Sequence, residues 1–401
     1  MSFSKIMGAA MELLKIVNSD DLANESSFKS WPSPDGTSVV ATDSIAYHNV
    51  LESLASDNSK IASRFSRKTA RKFIEDRLPR LKRSAQIPES SESFFKELLD
   101  QQPTSMTVSV PISGIRLDGG AKSFELACFR FGYLQDLLIP MANQPGMYIS
   151  TTIKDAYDKE VALKKAENAF LNFAKLIIFL SGKHDQSILI ETGLPLKPDL
   201  SHERMYVSTN SYQIQDEQGR MSSADVKNTH IEKIPVNNEF FTSNELLGKL
   251  WGLYERKHAG IKLGDLEARI INTALALGES ASTKDIRNSI LYTCIALEIL
   301  FSRDDGALFQ KSIGQNVADL FAFIVAKEAP ARKEIAKLTK KVYGMRSAIV
   351  HGGDKEMSSE NLLVNHFMRG ALGELLTAER FKDAKRLSTI YEMMLDAQYS
   401  Y

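Results

Sequence analysis

Asp285-Ile-Arg-Asn-Ser-Ile-Leu-Tyr-Thr-Cys-Ile-Ala-Leu-Glu-Ile-Leu-Phe301 carries apolar residues at positions 286, 290, 291, 294, 295, 297, 300 and 301. At ~100° per residue these wrap most of a helix circumference, which predicts a helix at the centre of a bundle. Glu298 falls inside that apolar band. A carboxylate there is costly without a partner, so an arginine is expected beside it.

Helical patterns lie on both sides of this segment. Asp265 to Leu277 reads as a helix that stops at Gly278, and further helices are expected from about Lys311 to Ala326 and from about Ala331 to His351. In the last of these Ile335, Leu338, Val342, Met345 and Ile349 recur in steps of three and four, forming one narrow apolar stripe. Its end reads Tyr343-Gly-Met-Arg-Ser-Ala-Ile-Val-His-Gly-Gly353, with Gly352-Gly353 suited to the left-handed conformation that closes a helix.

That terminus suits attack on RNA without a metal. An arginine can neutralise charge building on a phosphate, and a histidine of near-neutral pKa can move the proton of a ribose 2′-hydroxyl. The helix C-terminus also favours an imidazolium. On an ideal helix, however, Arg346 flanks the apolar stripe and His351 falls nearly opposite it. Convergence on one phosphate therefore requires either a distorted last turn at the glycines or a second copy of the chain.

The C-terminal segment resembles the Apea-like branch of the HEPN domains, small α-helical bundles found in many ribonuclease toxins and antiviral effectors. The likeness rests on Tyr343 to Gly352, on Ala296-Leu-Glu-Ile-Leu-Phe301 and on Arg269-Ile-Ile-Asn-Thr-Ala-Leu275, and covers roughly 264–375. It implies a metal-independent endoribonuclease that pairs as a homodimer and needs no cofactor. Arg346 and His351 would be catalytic, and Ser347 would bind phosphate or orient the histidine. From burial cost, Glu298 is expected to hold Arg346, and Tyr343 to line the cleft or pack. A toxin-like or antiphage role follows from the same likeness, and so does the alternative of a non-catalytic module for binding nucleotides or RNA, or for assembly.

The remainder of the chain is mixed, so the fold class expected is α+β: an N-terminal α/β region over 1–242, with a sub-boundary near 100, then an all-α bundle over 243–401. Met1 to Val17 reads as one helix, and Met1 to about Ser90 as mostly helical around the turn-rich Ser30 to Gly36. Met106 to Ile112 and Ser123 to Phe131 are expected to pair as strands across Leu117 to Gly120. Asp158 to Leu180 reads as a long helix stopped at Ser181-Gly182, with further strands at Ser187 to Glu191 and Met205 to Ser208, before the polar stretch from Asp216 to Asn228. Thr242-Ser-Asn-Glu245 has capping-box spacing, which predicts a helix start.

Lys and Arg together number 50, as do Asp and Glu, so no long-range field gathers nucleic acid and any RNA contact must be local. The densest basic run, Lys60 to Arg83, sets ten basic residues against Glu75 and Asp76. Its Arg64, Arg67, Lys68, Arg71 and Lys72 are the candidate RNA contacts, with a solvated helix face as the plain alternative. Cys128 and Cys294 are the only cysteines, which excludes a disulfide framework, and no paired ligand spacing among the histidines points to a metal. No apolar run reaches the ~20 residues of a membrane span, so a cytoplasmic protein without a membrane is expected. A phage-derived or regulatory trigger would act on the N-terminal region.

Overall fold

A computed structural model describes residues 2–18, 20–21, 29–137, 146–182, 188–193, 204–215, 221–283, 285–302, 313–353 and 355–399. The fold is α+β, with sheets in the N-terminal part and helices in the C-terminal part. Two compact units emerge, 1–108 with 152–167 and 109–151 with 168–401.

In the first unit the chain runs α1 (Phe3–Glu12), β1 (Leu14–Asn18), β2 (Lys29–Pro32), β3 (Thr37–Ala41), α2 (Ser44–Asp57), α3 (Ser59–Arg64), α4 (Arg67–Ser84), α5 (Ser91–Phe94) and α6 (Lys96–Leu99). The first helix is therefore shorter than the sequence suggests. Leu14 to Val17 pairs antiparallel with β3, where Val39 and Val40 bury their branched side chains, so sheet pairing overrides the local helical pattern. The turn-rich stretch at Ser30 is a hairpin, β2 with β3, turned at Gly36 with φ +80°. Met7, Leu51, Leu54, Ile74 and Phe95 form the core over which these pieces close.

β4 (Thr104–Ser113), β5 (Ile115–Arg116), β6 (Ser123–Leu126), β7 (Phe129–Tyr133), β8 (Met147–Ala156), α7 (Lys159–Ser181) and β9 (Glu191–Thr192) follow. β4, β8 and α7 each cross from one unit to the other. The expected pairing of Met106 to Ile112 with Ser123 to Phe131 is replaced by the strand order β6-β7-β8-β4-β9. Ser123 to Phe131 folds back on itself at Ala127, whose φ of +55° makes the turn, and the unforeseen β8 lies between β7 and β4. Gly182, at φ +71°, ends α7 where expected. Of the strand expected at Ser187 to Glu191, Ser187 lies outside the described residues and only Glu191 is in a strand.

β10 (Arg204–Gln215) and β11 (Met221–Glu232) pair antiparallel, so the described part of the polar stretch is a strand, and β12 (Ile234–Pro235) pairs parallel with β5. Helices α8 (Glu239–Ser243), α9 (Glu245–His258), α10 (Asp265–Ser282), α11 (Ile286–Phe301), α12 (Ile313–Val325), α13 (Ala329–His351), α14 (Glu360–Thr377) and α15 (Leu387–Tyr399) complete the chain. The cap of α9 is Asn244, which accepts from the Leu247 N–H at 3.3 Å, while the Thr242 hydroxyl bonds the Asn238 carbonyl instead.

Helix α11 packs against α10, α12, α13 and α14, the central place that its apolar band implies. One side of it stays open, where Ile295 is exposed. Inside the bundle Thr293 Oγ1 donates to Asn365 Oδ1 at 2.9 Å, and Asn365 Nδ2 to Ser280 Oγ at 3.0 Å. These buried polar pairs tie α10, α11 and α14 into one register, since sliding would leave them unsatisfied.

Helix α10 does not stop at Gly278. It runs on to Ser282, and Gly278 meets the backbone of α7, with room for no side chain: a Cβ there would lie 2.0 Å from the Lys175 carbonyl oxygen. At the other end of α10, Asp265 accepts from the Leu387 N–H at 3.0 Å and Arg269 Nε at 2.9 Å. Burial alone would raise the Asp265 carboxyl, but those donors outweigh it and hold it below the ordinary aspartate range. A depressed folded pKa contributes stability that is complete above the unfolded value and lost as pH falls through the folded one. Melting temperatures should therefore show Asp265→Asn destabilised at pH 7, by a margin that shrinks as pH falls below the ordinary aspartate range.

Candidate functional site

Helix α13 is regular to His351 and closes on Gly352, whose φ is +70°, with the Gly353 N–H bonded to the Ala348 carbonyl at 2.9 Å. The left-handed cap is the one that the glycines predict. Because His351 is itself helical, the last turn supplies no distortion that could swing it round. At ~100° per residue, five steps leave Arg346 and His351 about 140° apart and ~7.5 Å apart along the axis.

The structure accordingly sorts the motif into two faces. Against α11, Arg346 Nη2 lies 3.7 Å from Glu298 Oε1, the partnership expected from the carboxylate's place in the apolar band. The two side chains are 37% and 33% exposed, so the pair sits at a rim and not in the core. Beside it Val342 and Met345 are fully buried, and Cys294 Sγ is 3.9 Å from the Val342 carbonyl. Burial, then the nearby Glu298 charge, pushes the Cys294 thiol up to about 12, so it is inert as a nucleophile. Burial and Glu298 likewise push the Tyr343 phenol far above its usual range. Tyr343 packs here in its neutral form, with its hydroxyl buried.

On the opposite face Ser347 and His351 are both exposed. Four residues apart, they are neighbours on one stripe of the helix, one turn from each other. Among the described residues neither makes a side-chain hydrogen bond to protein. Lys355 joins them from the following segment, its Nζ standing where a Cβ on Gly344 would be, at 2.4 Å from that point. Its sequence neighbours give no sign of this return.

The basic run of α3 and α4 is largely engaged within its own unit. Arg67 lies 3.8 Å and Arg71 3.4 Å from Glu52, and Lys68 is 2.5 Å from Glu160. Arg71 also meets His48 Nδ1 at 2.9 Å, while Arg64 reaches the Leu99 carbonyl at 3.4 Å and stacks over Tyr157. Lys72 is exposed without an ion pair among the described residues. Arg67, Lys68, Arg71 and Lys72, with Glu52, Glu75 and Asp76, border a cleft of about 690 Å³ whose charge is mixed.

Among the described residues no three of His, Cys, Asp and Glu gather closely enough to hold a metal ion, and no helix is long and apolar enough to cross a membrane. No protein-family model, no curated protein and no solved structure matches this chain.

Proposed function

We propose that the C-terminal helical bundle is a HEPN-type endoribonuclease that cleaves RNA without a metal, two chains together forming its site in a toxin-like or antiphage role. The observation that carries this reading is the end of α13: a rim-exposed guanidinium held by Glu298, and an exposed imidazole one residue before the left-handed cap. In this mechanism an RNA 2′-hydroxyl attacks the adjacent phosphorus and the bond to the 5′-oxygen breaks. An imidazole takes the 2′-hydroxyl proton, and the imidazolium so formed gives a proton to the leaving 5′-oxygen. Arg346 meets the charge on the phosphoryl oxygens, and Ser347 orients His351. The separation of the two groups on one helix is met by pairing, with Arg346 of one copy facing His351 of the other. Exposed Ile295 and Val350 near the Arg346 rim offer apolar surface for that contact.

The same separation favours a second reading, a non-catalytic bundle in which Arg346 closes an ion pair and His351 ends a helix. Incubation of the purified chain with RNA in excess chelator separates the two. The ribonuclease gives fragments with 2′,3′-cyclic phosphate and 5′-hydroxyl ends; intact RNA, or fragments with 5′-phosphate ends, sinks it. Residues before Ser243 would carry the control that an otherwise toxic activity needs.

A further inference from the structure

The exposed side of α13 is more sharply patterned than its buried side. Taking ~100° per residue, Lys333, Lys337, Lys340, Gly344, Ser347 and His351 fall within a sector of about 80°, opposite Ile335, Val342 and Met345. All but the glycine are exposed, and Lys355 Nζ stands over that glycine, filling the one gap in the row. A line of ammonium groups thus runs for about 27 Å along the helix and ends at Ser347 and His351. The helix carries Arg332, Lys333, Lys337, Lys340, Lys341 and Arg346 against Glu334 alone, in a chain whose charges cancel as a whole.

Pairing distinguishes this row from Arg67, Lys68 and Arg71 of α4. Lys341, beside the row, is bound to Glu360, and Arg332 turns to the Ala326 carbonyl. Lys333, Lys337, Lys340 and Lys355 have no ion pair among the described residues, so their charge is available to a ligand. The apolar face of α13 is already buried in the bundle, and the apolar residues that flank the row along its length are the small Ala336 and Ala348. Nothing along it could insert into a lipid bilayer, which disfavours a membrane surface. A row one cation wide matches a single phosphodiester strand.

We propose that Lys333, Lys337, Lys340 and Lys355 form a track for the backbone of single-stranded RNA that leads it to Ser347 and His351. The delivery step rests on the ribonuclease reading; the binding does not. Fully 2′-O-methylated RNA cannot be cleaved by 2′-hydroxyl attack, so its binding reads the track alone.

Fluorescence anisotropy of that RNA across a salt series is the test, using the full chain. Replacing Lys333, Lys337 and Lys340 together by Gln should weaken binding by at least ~10-fold and lower the salt slope by about 2, while the triple Arg variant keeps both. The same change at Arg67, Lys68 and Lys72 should leave binding unaltered. Wild-type affinity and slope in the Lys→Gln triple, or loss of binding only in the α4 variant, would overturn the track, as would binding to phosphatidylserine vesicles without binding to RNA. If the track binds RNA but unmodified RNA stays intact, the ribonuclease reading fails alone. Normal cleavage of dilute RNA by the Lys→Gln triple would make the track fail alone.

Discussion

Gly278→Ala is expected to destabilise the protein by about 3 kcal/mol or more, a change large enough to unfold many domains outright. Helix propensity points the other way, because Ala is favoured over Gly inside a helix by ~1 kcal/mol. Sterics decide the sign. The new methyl would stand 2.0 Å from a carbonyl oxygen of α7, and neither helix backbone can yield as a flexible side-chain tip could. Lys175 and Glu279 clamp the same crossing with an ion pair of 2.7 Å. Gly370 in α14 is the matched control: it is exposed, with nothing within 4 Å of its added Cβ, so Gly370→Ala should stabilise by ~1 kcal/mol. Chemical denaturation of the two variants should give midpoint shifts of opposite sign. Shifts of one sign would mean that α10 and α7 are not in contact at Gly278.

Gly278 also shows where the sequence misleads. A glycine after an apolar helical run signals a stop or a close crossing equally well, and only a distant partner, Lys175, distinguishes them. The same holds for Leu14 to Val17, whose local pattern suits a helix while β3 makes it a strand. The basic run of α4 looks free because Glu52 and Glu160, which engage it, lie outside the run. By contrast the Glu298 and Arg346 partnership was legible, since a carboxylate in an apolar band demands a cation. So was the cap at Gly352, because two glycines after an amphipathic stripe leave little else. The lysine row was written in the same arithmetic as that stripe, read from the other side of the wheel. Lys355 was not, because its place over Gly344 depends on how the chain turns back after the helix.

Arg346→Ala should lower RNA cleavage by ~10²–10³-fold, the scale of removing one preorganised charge from a phosphate-stabilising site. Arg346→Lys should recover little of it, since an ammonium cannot present the planar fork with which a guanidinium spans two phosphoryl oxygens. On the ribonuclease reading Glu298 acts through Arg346, so Glu298→Gln should raise KM or lower kcat modestly and leave the imidazole's limb of the pH profile in place. Equal losses for Glu298→Gln and Arg346→Ala, together with a lowered melting temperature in both, would mark the pair as structural.

Because α13 is regular, the ribonuclease reading requires two chains to share each site, and mixing two inactive proteins tests that sharing. Arg346→Ala and His351→Ala are assayed with RNA in chelator, each alone and after subunit exchange at equal concentration. If each site takes its arginine from one chain and its histidine from the other, half of the exchanged pairs are mixed and each mixed pair keeps one intact site. Near-zero activity is expected for each variant alone and roughly a quarter of wild-type activity for the mixture. A mixture no more active than its components, alongside an active wild type, would contradict the sharing.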